Sequence, residues 1–170
     1  MNGSGMSARQ QRTSRAGHGG EAMSSKANTT AIQKSVTVAR PLEAAFRVFM
    51  DIGSWWPRTH SYDRARAKDV FLEGRVGGRF YERYTEGEEF EIGKVVTYDP
   101  PRQVVFTWKD PDFEQPTEVE VTFYAQGDRT RVELIHSGWD RIGTKAKHGV
   151  DDFSSGWDPV LAAYAARTAA

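Results

Sequence analysis

The chain has 170 residues, 38% of them hydrophobic, enough for one globular core, and its 23 basic and 23 acidic residues cancel. It contains no cysteine, which excludes disulfides, thiolate nucleophiles and Cys-ligated zinc. No apolar run approaches the ~20 residues that span a bilayer, and no stretch has the basic and apolar regions of a secretory signal; the expectation is a cytoplasmic protein.

Charge is unevenly spread. Residues 1–30 hold Arg9, Arg12, Arg15 and Lys26 against Glu21, three positive charges that the remainder offsets. This stretch is rich in Gly, Ser and Arg and almost devoid of apolar side chains, so it cannot offset the entropy of ordering. It is expected to be a disordered tail, with Met1, Met6 and Met23 as alternative starts, leaving residues 31–170 as one domain.

Order begins at Ile32. In IQKSVTVA, Ile32, Val36 and Val38 share one parity, which predicts a half-buried strand. Pro41 suits a first helical turn, and Leu42, Ala45, Phe46 and Phe49 recur at helical spacing. That short helix should stop by Gly53, and WWP (Trp55–Pro57) prevents a long continuation. Six segments of period two follow: Asp69–Leu72, Arg79–Thr85, Phe90–Tyr98, Gln103–Lys109, Thr117–Tyr124 and Thr130–His136. The turn signals GRVGG, TEGEE, YDPPR, KDPDFEQP and QGD separate them. Short links without helices predict an antiparallel meander. Its alternation is clearest in EVEVTF, where Val119, Val121 and Phe123 face in.

The C-terminal stretch should cover the inward face. Trp157, Leu161, Tyr164 and Thr168 fall at helical spacing among alanines that favour helix. The tetrapeptide SGWD occurs twice, at Ser137–Asp140 and Ser155–Asp158. The first copy ends the last strand. The second is expected to open the final helix, with Ser155 or Asp158 as cap and Pro159 in the first turn. Strand end and helix start explain both copies without a duplicated unit.

IGSWWP, VFLEGRVGGRFYE, YDPPRQVVFTW, TEVEVTF and GWDPVLAAYA, in this order, resemble the heat-shock-protein-90 ATPase activator-like family. That family belongs to the START-like, or helix-grip, superfamily, and the resemblance covers about residues 32–168. It implies an α+β fold in which a curved antiparallel sheet wraps a long C-terminal helix, with a cavity between them and two short helices closing one end. It also implies three kinds of function. The leading expectation is a non-catalytic module, monomeric or homodimeric, that binds a small hydrophobic or amphipathic ligand. A chaperone partner comes second, since the chain shows one START-like domain without the further N-terminal domain of eukaryotic activators. A cyclase- or dehydratase-like enzyme comes third.

Parity selects the cavity residues. With Val119, Val121 and Phe123 inside, the neighbouring strands turn Val104, Phe106, Trp108, Val132, Leu134, His136, Phe80, Glu82 and Tyr84 inward. Glu82 and His136 share parity with apolar neighbours, and His60, just after WWP, is placed to reach the same end. A carboxylate and imidazoles in an apolar pocket suit acid–base chemistry or the gripping of a polar ligand end. Glu82, His136 and His60 are therefore the catalytic candidates. The ligand-binding candidates are Trp55, Trp56, His60, Phe71, Phe80, Glu82, Tyr84, Phe106, Trp108, Phe123, His136, Trp157 and Leu161. The structural alternatives are a rim salt bridge for Glu82 with Arg79 or Arg83 and a backbone contact for His136.

Other chemistries find no motif. GRVGG is a turn between strands rather than a phosphate loop, and neither G-x-S-x-G nor H-E-x-x-H occurs. GHGG at Gly17–Gly20 lies in the tail. Scattered histidines give no metal-ligand pattern, so no metal or cofactor is expected. The mildly acidic remainder argues against nucleic acid.

Overall fold

A computed structural model of the chain describes residues 31–146 and 148–170. The readings of residues 1–30, including the tail, its GHGG and the alternative starts, lie outside these.

Seven antiparallel strands form one sheet in the order β1-β7-β6-β5-β4-β3-β2. They are β1 (Ile32–Val38), β2 (Ala67–Leu72), β3 (Arg79–Tyr84), β4 (Glu89–Asp99), β5 (Gln103–Trp108), β6 (Thr117–Gln126) and β7 (Arg129–Ser137). Strands β2 to β7 run as the expected meander, and β1 pairs antiparallel with β7, Ile32 lying opposite His136. Helix α1 (Leu42–Met50) is followed by two turns of 3-10 helix, Ile52–Ser54 and Arg58–His60. Helix α2 (Gly149–Ala169) closes the described chain. This is the α+β helix-grip fold.

The sheet faces divide as period two requires. Val119, Val121 and Phe123 on β6 and Val132, Leu134 and His136 on β7 are all buried. Register shifts interrupt the β2–β3, β3–β4 and β4–β5 ladders, and such bulges bend and twist a sheet. At one of them Gly93 is required, because a Cβ there would collide with the Thr107 carbonyl. The bent sheet and α2 enclose a core in which Phe80, Phe106, Trp108, Trp157, Leu161 and Tyr164 all participate.

Helix α2 corrects the expected start. It begins at Gly149, six residues before the second SGWD, so Ser155–Asp158 lies inside it and Pro159 is an interior residue. Proline leaves the Ser155 carbonyl without its usual helical donor. Both Ser155 and Pro159 are exposed, so water reaches that carbonyl. The Ser155 hydroxyl caps nothing and donates to the Asp151 carbonyl at 2.9 Å. The first SGWD does end the sheet, as expected: Gly138 adopts φ 93°, and Trp139 starts a 3-10 turn.

Candidate functional site

Three segments meet at one end of the grip: the loop 58–64, the end of β5 with Asp110, and the first half of α2. Between them opens a cleft of ≈ 340 Å³. Its floor is aromatic, with Trp56, Trp108, Trp157, Phe153 and Tyr62, and its rim carries Thr59, His60, Ser61, Arg64, Asp110 and Asp152. The indoles pack on one another. Ring centroids of Trp56 and Trp108 lie 6.0 Å apart, Trp56 and Trp157 6.1 Å, and Trp108 and Trp157 5.7 Å.

Hydrogen bonds fix this floor from behind. Trp157 Nε1 donates to His136 Nδ1 at 3.1 Å, and His136 Nε2 lies 2.7 Å from Thr117 Oγ1. Because an indole nitrogen can only donate, Nδ1 must be the acceptor and the proton must sit on Nε2. The Thr117 hydroxyl then passes its own hydrogen to the Trp108 carbonyl at 3.0 Å. Burial, with no solvent contact, pushes the His136 pKa down to about 3. The imidazole is therefore neutral at physiological pH, and both of its nitrogens are occupied.

Tyr62 anchors the lip. Its hydroxyl accepts from Trp108 Nε1 at 2.8 Å and donates to Asp110 Oδ2 at 3.0 Å. Burial, reinforced by the Asp110 carboxylate, holds this phenol well above the ordinary tyrosine range, so it stays protonated.

Glu82 lies beneath the same loop and is 2% exposed. It accepts from Tyr84 Oη at 2.8 Å, from Ser61 Oγ at 3.2 Å and from the Tyr62 backbone N–H at 3.2 Å. The Tyr84 phenol is held above its usual range by burial first and then by its bond to this carboxylate. The rim salt bridges considered for Glu82 do not form: Arg79 and Arg83 both pair with Glu89 instead.

The structure places the sequence candidates in four settings. Trp56, His60, Trp108 and Trp157 line the cleft. Glu82 lines a second cavity of ≈ 210 Å³ under the loop, and Tyr84 bonds it from the sheet. Trp55, Phe80, Phe106, Phe123, Leu161 and His136 are buried in or against the packed core. Phe71 lies on the outer face, because the β2–β3 register sets it opposite Tyr81 while Val70 lies opposite the inward Glu82. There it stacks on Tyr81 at 4.9 Å under the Arg83 guanidinium.

Glu82 and His136 are not brought together. Three strands, β4, β5 and β6, separate β3 from β7. Sequence reasoning missed Tyr62, Asp110 and Phe153, which all lie outside regular strand periodicity; the signal available was a tyrosine and an aspartate in loops flanking aromatic strand ends. Among the described residues no group of His, Asp or Glu is arranged to hold a metal ion, and no helix is long and apolar enough to cross a membrane.

A profile for the family described as "Activator of Hsp90 ATPase homolog 1-like protein" matches residues 39–166. The chain belongs to this family. No curated protein matches it in sequence. Among solved structures, it is similar to a self-sacrificing resistance protein, CalC, from Micromonospora echinospora, at 31% identity and TM-score 0.60, over 82% of this chain and 94% of that one. It is also similar to an anthrahydroquino-γ-pyrone synthase, Txn09, complexed with SUM, at 30% identity and TM-score 0.55, over 80% and 95% of the two chains. Protein MLL2253 from Mesorhizobium loti shares the fold at 17% identity and TM-score 0.60, over 79% and 93%.

Proposed function

We propose that this family member binds a small hydrophobic or amphipathic ligand in the cleft between the loop 58–64 and α2. The observation that carries the reading is the aromatic floor, open to a cleft of ≈ 340 Å³ and ringed by polar groups. That combination matches the size and lining of small-molecule sites. Flat apolar ligands gain most on it, since indole faces offer large area with little entropy to lose.

Gly156 supplies the test. It lines the cleft from inside α2, and a Cβ there would meet only His60, at 3.9 Å. Gly156→Leu should fill the cleft while removing a helical glycine that costs about 1 kcal/mol. Calorimetric titration with planar polyketide-like compounds should show binding to the wild type and its loss in Gly156→Leu, with the melting temperature unchanged or raised. Equal binding by both proteins would dismiss the site.

Similarity to a synthase favours a second reading, in which the bound ligand is also converted. With the Tyr62 hydrogen already given to Asp110, the His60 imidazole and the hydroxyls of Thr59 and Ser61 would supply the polar groups at the cleft. Mass spectrometry of ligand incubated with the protein tests this, and unchanged ligand removes it. The family description supports a third, regulation of a 90-kDa chaperone ATPase; unchanged turnover in a purified assay would remove that one.

A further inference from the structure

Two cavities share two walls. Trp56 and Ser61 line both the outer cleft and the smaller cavity of ≈ 210 Å³ beneath the loop. Glu82 opens into the inner cavity but not into the cleft, alongside Arg58, Lys68 and Asp69. Its carboxylate is incompletely used. All its donors are uncharged, and Oε2 takes the hydroxyls of Tyr84 and Ser61. Among the described residues, the only donor to Oε1 is the Tyr62 backbone N–H at 3.2 Å, which it shares with Oε2 at the same distance. A carboxylate offers about four lone-pair positions and favours shorter contacts than these.

Resting on the cleft reading above, we infer that the ligand occupies both chambers. Its flat apolar body lies on the indole floor, and a hydrogen-bond-donating end group passes between Trp56 and Ser61 to Glu82 Oε1. The end group is an amine, an amide N–H or a hydroxyl. A carboxylate end has no hydrogen to give to Oε1, and in the same cavity it would turn to Arg58 and Lys68 instead. Glu82 is then a specificity-determining residue that the outer cleft alone does not reveal.

The test uses four probes with one apolar body: naphthylbutylamine, naphthylbutanol, naphthylbutanoic acid and butylnaphthalene. Calorimetry on the full chain should rank the amine and alcohol at least ~10-fold tighter than butylnaphthalene, as expected for one added bond to a carboxylate, while the acid, with no hydrogen to give, gains nothing from Glu82. Glu82→Gln should shrink that gap below about threefold while butylnaphthalene binds as before. Ser61→Ala offers a gentler variant. By releasing a lone pair on the Glu82 carboxylate it should raise the affinity of the amine relative to that of butylnaphthalene, a change in ratio that lost packing at the shared wall would not produce. If all four probes bind equally in the wild type and in both variants, the inner chamber plays no part and the outer-cleft reading survives alone. If none binds, both readings fall together.

Discussion

The two ends of the grip are built from the same sheet and the same helix, yet one is sealed and the other is open. At the sealed end α1 inserts Phe46 and Phe49, whose rings meet Phe123 at 5.1 and 5.6 Å and Tyr164, for Phe49, at 5.4 Å. The Tyr164 hydroxyl finds the Ala45 carbonyl at 2.7 Å, so even the polar atom is absorbed. At the open end no α-helix inserts over the rings. A loop held by Glu82 and Tyr62 stands over them, and half-buried Trp56 and Phe153 face the cleft. What differs is the covering element, not the hydrophobicity of the wall. A regular helix can fill space with apolar side chains, whereas an irregular loop must first satisfy its own backbone and leaves a gap.

Truncation should separate the two ends most sharply. Phe49→Ala, at a residue 1% exposed, should cost about 3–5 kcal/mol in denaturant unfolding, the range for a phenylalanine that leaves a cavity. Phe153→Ala, at the half-buried cleft mouth, should cost less than half as much and weaken ligand binding instead. Equal losses would mean that the open end is packed as tightly as the sealed one.

Acid should strike the open end. The His136 pKa is lowered to about 3 by burial, below the ordinary value of about 6.5, so as pH falls the unfolded chain takes the proton first. The His136 contribution to stability is present above about pH 6.5 and is lost by up to about 1.4 kcal/mol per pH unit as the pH falls towards 3. His136→Phe should be less stable at neutral pH yet show a shallower slope in this window. Identical slopes would show that the imidazole does not govern it.

Tyr164→Phe removes one hydroxyl at the sealed end and leaves the buried Ala45 carbonyl without that donor, a loss of about 1–2 kcal/mol. The smallest effect should come from the surface tie of Lys34 to Asp158 at 2.9 Å, where Asp158 is 65% exposed. Lys34→Ala should change stability by no more than about 0.5 kcal/mol. A larger loss there would make the helix–β1 seam, rather than the cores, the weak point of the grip.

The inward face is legible because β strands alternate rigidly: one clear run, EVEVTF, sets the parity of its neighbours and with it the inward side of Glu82 and His136. Parity does not say which end of the sheet an inward residue occupies, so it could not separate a histidine committed to Trp157 and Thr117 from a carboxylate beside a cavity. Phe71 departs from the expected cavity lining because VFL carries no alternation to mark its side, and the β2–β3 register turns it outward. The start of α2 was hidden by GVDDFSSG, whose Gly, Ser and Asp residues are weak helix formers. Packing of Phe153 against Trp108 at 5.2 Å overrides that preference. Tyr62 and Asp110 sit in loops, where no period exists to read.

The indole floor also has an optical consequence. All five tryptophans of the chain lie in or beside one aromatic chain, Trp55 touching Trp56 at 5.9 Å and Trp139 joined through the His136 ring at 4.4 Å. At such separations excitation hops between indoles, so the protein emits as a coupled antenna rather than as independent fluorophores. A single quencher seated on Trp56 would darken the whole set, and near-ultraviolet circular dichroism should carry exciton signals from the close pairs. Occupancy of the cleft can therefore be followed with no label attached to either protein or ligand.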